Sequence, residues 1–496
     1  MYRIILSLLL LAGVSRVVTG QGRPVQAKIN IKGATHLSSE ELTSIIPSRI
    51  DSGFTEQLLD RSLTALSQYY AGLGYPFADI KIASIIPQDS SINITIIITE
   101  GRLARVDSIA ISGATVTNAS IIEREFFLDE RPFAAKTYLQ SSVDRLRHIG
   151  IFSSVSDASI FPTSDSTVGV LLAVQEIHST EIDGVLGYNP PTIPGTQGYL
   201  NGFLDLGFLN IGGTARQAIL HYSKITPSSS ELQASYKEPW LFDFPVDASV
   251  AMARYIDDSL YTATDLSLSF SLHTTSPLTI GANAAATFVT PGVQQIVQTS
   301  NTLAIGLFCR YDKRDDPIVM RNGYLVSLQA QYGSKSATDS LGFALTAPMR
   351  ALDATFEAAR PMGFHSLIGS ITITAKQRAS RLLEVSDLFR LGGLHSLRGY
   401  AENSFLSDQY IIARSELRFM LEQHSYIGLF CDIGSVQQVV FTPTEPSPSF
   451  FQSAPIGFGL SMLFDSPIGF IQVAVAAPKQ ASLDRSLLHF GLKTSL

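Results

Sequence analysis

Cysteine is nearly absent from this chain of 496 residues: there are two, Cys309 and Cys431, far apart and each in a strand-like run. That spacing excludes a disulfide framework and any paired-cysteine metal or redox motif. Tryptophan occurs once, and charged residues make up only 16% of the chain. Lys and Arg (36) are outnumbered by Asp and Glu (43), for a net charge of −7, and no basic run interleaved with aromatics occurs, so nucleic acid is excluded as a partner. HExxH, GxSxG and phosphate-loop patterns are missing and the nine histidines are scattered, so no catalytic residue, bound metal or cofactor is expected and the chain does not read as an enzyme. Acid clusters such as "KRDDP" read as loop charges facing water. Long apolar runs are also missing after the first 20 residues. With 45% hydrophobic residues, something other than membrane-spanning helices must carry the apolar character.

The N-terminus, "MYRIILSLLLLAGVSRVVTGQG", places Arg3 ahead of an apolar run from Ile4 to Val14 and ends in small residues. A hydrocarbon span takes about 20 residues, so this shorter run reads as a secretory signal peptide over 1–20, cleaved near Gln21, with a membrane anchor as the other reading.

Residues 24–101 then run strand, helix, helix, strand, strand, and residues 102–177 repeat the order. In the first copy "VQAKINIKGA" alternates, Ser38 stands three residues before Glu41 in capping-box spacing, and Leu59, Leu63, Leu66 and Tyr70 share a helical face that stops at Gly72 and Gly74. In the second, Ser120 and Glu123 repeat the capping spacing, and Leu139, Val143 and Leu146 form the stripe. A repeat of about 75 residues suits tandem small βααββ domains better than a solenoid. The arrangement resembles the polypeptide-transport-associated repeat, POTRA, through "YYAGLGYPFADI" and "LRHIGIFSSVS". An unrelated ferredoxin-like pair would share the βααββ order.

After Ile177 the helical period gives way to period two. In "LSLSFSLHT" Leu266, Leu268, Phe270 and Leu272 lie opposite Ser267, Ser269, Ser271 and His273; "YLVSLQAQY" and "ITITAKQR" behave alike. A soluble sandwich also alternates. Here the pattern follows a signal peptide and persists in strands of roughly 9–11 residues, as in transmembrane barrels. At about 20 residues per strand and turn, 178–496 holds about 16 strands, an even number as such barrels prefer. The expected fold is α+β tandem POTRA domains followed by an all-β 16-stranded barrel in a bacterial outer membrane, with the small domains in the periplasm.

Late in this region "RLGGLHSLRGYAENSF" breaks the alternation. Gly392, Gly393 and Gly399 permit a compact loop in a wide lumen, and Arg398 offers a rigid bidentate donor. Its partners should be inward acids: parity puts Arg414, Glu416 and Arg418 on one face, and Phe430, Asp432 and Gly434 together. "LGGLHSLRGY", "SELRF", "FCDIG", "GFGLSMLFDSPIGFIQVAVA" and "LLHFGLKTSL" occur in the order and spacing of the bacterial surface-antigen superfamily. "YKEPWLFDFPVDAS" and "YDKRDDPIVMRNGY" are similar to further segments of its barrel. The resemblance implies a loop motif at Arg398, Gly399 and Tyr400, an inward acid at Asp432, and Glu416 as a second contact. A purely stabilising Arg398 is the alternative role.

The resemblance also implies a protein that assembles or exports other proteins. Its closing strand should carry Phe490, Leu492 and Leu496 outward and Gly491 inward; Leu496 departs from the family's usual aromatic end. The first barrel strand, "TEIDGVLGYN", has Gly184 and Gly187 and is followed by Pro190 and Pro191, which weaken pairing. A weak first-to-last seam would open laterally and lend an edge to an incoming strand; an ordinary frayed seam is the other reading. The expected function is an insertion factor for unfolded outer-membrane proteins. Its environment is outer-membrane lipid, with accessory lipoproteins as further partners and no cofactor. The alternative is a two-partner-type pore secreting a dedicated protein. A passive porin leaves the two small modules unexplained. Exporters of this family carry a plug helix and linker ahead of the modules, and a first strand near Val25 leaves no room for them.

Overall fold

The computed structural model describes residues 26–46, 56–88, 91–128, 133–177, 179–189, 198–226, 228–257, 259–272, 274, 277–294, 297–338, 342–441, 448–466, 469–479 and 486–493. The signal-peptide reading, Pro190, Pro191 and Leu496 lie outside these. The described residues fall into two compact units, those of 1–112, 126–143 and 156–173 in one and those of 113–125, 144–155 and 174–496 in the other.

The first module consists of β1 (Gln26–Lys32), α1 (Ser39–Ile45), α2 (Glu56–Gly72), β2 (Asp79–Pro87) and β3 (Ser91–Thr99). Its sheet has the order β1-β3-β2, with β1 parallel and β2 antiparallel to the central strand. Alternation along β3 buries Ile94, Ile96 and Ile98 against Leu42, Leu59, Leu66 and Tyr70, the inward residues of the two helices. The capping box forms: Glu41 N donates to Ser38 Oγ (3.2 Å) and Ser38 N to Glu41 Oε2 (2.9 Å).

The second module has β4 (Arg105–Ser112), α3 (Ala119–Glu125), α4 (Lys136–His148), β5 (Phe152–Val155), β6 (Ser159–Pro162) and β7 (Thr167–Glu176). Two details differ from the sequence reading. Helix α3 starts at Ala119, so Ser120 lies inside its first turn and Asn118, not Ser120, stands at the cap position. The run "GIFSSVSDASI" is split into β5 and β6, which pair with different halves of β7.

Both modules repeat one local device. Each first strand ends in Gly-Ala-Thr, with Gly33 and Gly113 at φ of 88° and 89°, and each Thr turn is gripped by an acid at the end of the last strand. Glu100 accepts from Thr35 N (2.9 Å), the Thr35 hydroxyl, His36 N (3.1 Å) and Tyr70 OH (3.0 Å). Glu176 accepts from Thr115 N (3.0 Å), Thr115 Oγ1 (2.6 Å), Val116 N (3.1 Å) and Thr117 N (2.6 Å). Burial pushes each carboxyl up, but the converging Thr and His donors at Glu100, and Thr donors at Glu176, overcome that and hold both at about 2.

The remaining strands are β8 (Thr180–Asn189), β9 (Tyr199–Ile211), β10 (Arg216–Thr226), β11 (Ser229–Glu238), β12 (Val246–Asp257), β13 (Tyr261–Leu272), β14 (Leu278–Pro291), β15 (Thr299–Asp312) and β16 (Gly323–Thr338). They continue with β17 (Ala344–Met362), β18 (Phe364–Ser380), β19 (Phe389–Leu391), β20 (Phe405–Met420), β21 (Tyr426–Val440), β22 (Ser449–Ser453), β23 (Ile456–Ser466), β24 (Gly469–Pro478) and β25 (Leu487–Lys493). All join one closed antiparallel barrel in which β25 neighbours β8. The ring therefore has 18 segments where the sequence suggested 16. The two extra ones, β19 and β22, are short pieces: β18 also pairs directly with β20 and β21 with β23, so 16 strands form the continuous wall.

The parity reading holds along the wall. Leu266, Leu268, Phe270, Leu303, Ile305 and Leu307 are exposed on the outer face, while the opposite parity turns polar residues to the lumen. Cys309 lies on the outer parity of β15 and Cys431 on that of β21, both as free thiols. No described helix is long and apolar enough to cross a membrane; the wall crosses with strands.

Candidate functional site: a lumen loop anchored on a buried arginine

Between β19 and β20 the chain folds into the barrel. Gly392, Gly393 and Gly399 have φ of 121°, 81° and 91°, values that favour glycine, and the loop closes on itself through Gly393 N to Tyr400 O (3.0 Å) and Gly392 N to Ser396 Oγ (2.8 Å). The inward turn buries Leu394 against Phe430, Ala474 and Ala476, and Leu397 against Leu391, Ile412 and Val436.

Arg398 sits at the centre and is 2% exposed. Its Nε and Nη2 donate to the two oxygens of Asp432 at 2.8 and 2.7 Å, and its backbone N donates to Asp432 Oδ2 (3.1 Å). Nη1 donates to Glu416 Oε1 (2.8 Å), and the guanidinium lies 3.5 Å from the centre of the Phe430 ring. The structure thus brings Arg398, Asp432 and Glu416 into one cluster. Planarity matters here: the fork meets one carboxylate with two bonds, a second with a third bond, and an aromatic face with its plane. Tyr400 OH donates to Ile456 O (3.3 Å) and accepts from Ile456 N (3.2 Å), fastening the loop where β23 begins.

Three further participants, Ser461, Tyr426 and Gly457, escaped the sequence reading. Glu416 also accepts from Ser461 Oγ (2.5 Å), Tyr426 OH (3.2 Å) and Arg418 Nε (2.6 Å), so its second oxygen is fully engaged without Arg398. Arg414 donates to the carbonyls of Leu394 and His395 at 3.1 Å each and holds the loop backbone. Gly457 is needed because a side chain there would collide with the carbonyl of Arg398. Arg414 and Arg418 share the Glu416 parity and were visible in the sequence; Ser461, Tyr426 and Gly457 lie on other strands and carried no local signal.

The loop also touches the closing strand. Gly399 N donates to His489 Nε2 (3.2 Å), and Leu394 packs where a side chain at Gly491 would stand. Phe490, the residue between them, is 69% exposed on the outer face. Leu492 pairs with Ile471 in the β24–β25 ladder. Gly184 and Gly187 pair with Leu204 and Asn201 of β9. β25 and β8 are hydrogen-bonded neighbours, and their pairing closes the ring.

Ahead of the loop, residues 381–388 are held separately. Lys335, wholly buried, donates to Glu384 (3.0 Å) and Asp387 (2.5 Å), while Val385 packs against Tyr261, Ala263, Val289 and Val297. The chain between β18 and β20 is therefore clamped at two places inside the barrel.

A closed 16-strand wall following βααββ modules, with an arginine-anchored loop in its lumen, defines a POTRA-barrel protein of the outer membrane. The chain belongs to the Omp85 superfamily: residues 210–492 match the Omp85 superfamily domain, and residues 24–101 match the surface antigen variable number repeat, POTRA. It resembles BamA from Haemophilus ducreyi lacking POTRA domains 1-3 (TM-score 0.52, 16% identity, 94% of this chain and 98% of that one). It also resembles CdiB from Acinetobacter baumannii (TM-score 0.51, 13% identity, 95% and 89%) and CdiB from Escherichia coli (TM-score 0.52, 15% identity, 95% and 90%). At these identities the likeness is one of fold. No curated protein matches the sequence. The protein is an outer-membrane barrel with periplasmic POTRA domains, of the class that inserts proteins into that membrane or transports them across it.

Proposed function

We propose that this protein is an assembly and insertion factor. Modules 24–101 and 102–177 capture unfolded outer-membrane proteins by offering sheet edges, and the barrel inserts the client through the seam between β25 and β8. The tie between the lumen loop and β25 carries the reading. Gly399 and Leu394 rest on His489 and Gly491, so a change in the loop acts directly on one lip of the seam. Glycines at 184 and 187 weaken the other lip. No nucleotide or cofactor is required, since client folding drives the reaction; lipoproteins are candidate accessory subunits.

Secretion of a dedicated partner is the second reading, favoured by the pair of modules. It demands more of this barrel: both the Arg398 loop and residues 381–388 occupy the lumen and would have to withdraw, whereas lateral insertion needs only the seam.

The test is folding of a urea-denatured outer-membrane barrel into liposomes containing this protein, read by heat-modifiable gel mobility. Acceleration that disappears on deletion of 25–177 supports insertion. Absence of acceleration in liposomes shown to hold the folded protein moves the assignment to secretion.

A further inference from the structure

The outer face of the wall is not uniformly apolar. The chain enters at the start of β8 from the POTRA side and the wall strands alternate, so β13, β17 and β20 begin at the outer end of the barrel. On β17, Arg350 shares the outward parity of Leu352 and Phe356, is exposed, and pairs across the ladder with Tyr332 of β16 and Ala379 of β18. Among the described residues Arg350 has no hydrogen-bond or carboxylate partner. A lone outward cation is costly on a barrel face unless a headgroup meets it.

Two features adjoin Arg350. On one side an open groove of about 1100 Å³ runs over the outer half of β13–β17, floored by Ala284 and Ala286 and walled by Leu266, Leu303, Ile305 and Tyr332. On the other side a row of amides crosses four strands. Gln377 Nε2 donates to Gln409 Oε1 (3.1 Å), Gln409 donates to Gln437, and Gln452, paired with Gln437, donates to Ser435 Oγ (2.8 Å). The row's height follows from β20. Ten residues separate Gln409 from the outward Phe419, about 25 Å at 3.3 Å per residue and a tilt of about 40°, roughly the thickness of the apolar band. The amides and Arg350 therefore lie at the outer headgroup level, continuous with the lipid-facing surface.

We infer that this face is a binding site for a phosphorylated, multiply acylated saccharide lipid of the outer leaflet. Acyl chains occupy the groove, Arg350 takes a phosphate, and the amide row, with its spare donors and acceptors, takes sugar hydroxyls. Charge complementarity selects an anionic headgroup, and the amides select a hydroxyl-rich one over a simple phospholipid. The inference is independent of the choice between insertion and secretion.

The test is native mass spectrometry of the full chain released from uncharged detergent. The added probe is a bis-phosphorylated, hexa-acylated glucosamine disaccharide; its dephosphorylated form and phosphatidylglycerol are added in parallel. The expected result is retention of the phosphorylated disaccharide, reduced at least tenfold in Arg350→Glu and unchanged in Arg360→Glu, an outward arginine at the opposite end of β17. Gln377→Leu with Gln409→Leu should erase its preference over phosphatidylglycerol. Equal retention by wild type and Arg350→Glu, or equal retention of all three lipids, overturns the inference. Heat-modifiable mobility reports folding. Should Arg350→Glu fail to fold, Ala286→Trp fills the groove instead and must lower retention by the same order.

Discussion

Arg398 shows how much one residue type can specify. Breaking a buried ion pair from one side costs about 3–5 kcal/mol, because the remaining charge is stranded. Here the strands are unequal. Asp432 depends on Arg398 for two of its bonds, while Glu416 keeps Arg418, Ser461 and Tyr426. Arg398→Met should therefore destabilise the loop by that order and Glu416→Gln by less, with Asp432→Asn rescuing part of the Arg398→Met loss in a double-mutant cycle read by heat-modifiable melting. A charge-reversal pair is a poor probe. Arg398→Glu would face Glu416, and Asp432→Arg would face Arg414, whose Nε lies 3.8 Å from Asp432. Arg398→Lys keeps the charge but loses the fork and should recover less than half of the stabilisation. Gly457→Ala acts on the same contact from outside it: the added methyl meets the Arg398 carbonyl, so the loop should become protease-sensitive while the barrel stays folded.

At the scale of elements, the Gly-Ala-Thr turn and its distant acid make each module's pH response predictable. A carboxyl held at about 2 when folded and near 4.5 when unfolded contributes stability that is fully present above pH 4.5 and is lost as pH falls toward 2. For Glu100, 6% exposed, that amounts to about 3 kcal/mol. Hydrogen-exchange protection of the Thr35 and His36 amides should drop across that window, and Glu100→Gln should flatten the dependence. The two Gly-Ala-Thr tripeptides stand in the sequence as a local repeat, but nothing local links them to their acids, because Glu100 and Glu176 lie more than 60 residues from Gly33 and Gly113. The seam is the other element-level device. Leu186 and Phe490 are 77% and 69% exposed and face outward, so cysteines at these positions and their neighbours avoid the loop that a side chain at Gly491 would strike. Oxidative cross-linking between β8 and β25 should abolish client insertion; activity that survives it rules out the lateral gate.

For the whole molecule, the two clamps on the chain between β18 and β20 predict the state of the lumen. Lys335→Met strands Glu384 and Asp387, and Arg398→Met strands Asp432, so each should raise single-channel conductance in planar bilayers, with the double variant exceeding either. Conductance unchanged in the double variant would show that the lumen is already open past these segments.

The sequence by itself determined the class of fold and the parity of the wall. Period-two alternation is a local property of neighbouring residues, and a barrel imposes it strand by strand, so Leu266, Leu268 and Phe270 could be placed outward and Asp432 inward without coordinates. The loop's glycines and its arginine were equally legible, because positive φ and a lone cation inside an apolar pattern are local signals. Tertiary structure alone decided which strands meet. That Ser461 and Tyr426 complete Glu416, that Lys335 on β16 holds residues 381–388, and that Gly399 rests on His489 follow from ring closure and strand register. Those are set by the sum of many weak pairings along the whole wall rather than by any one segment.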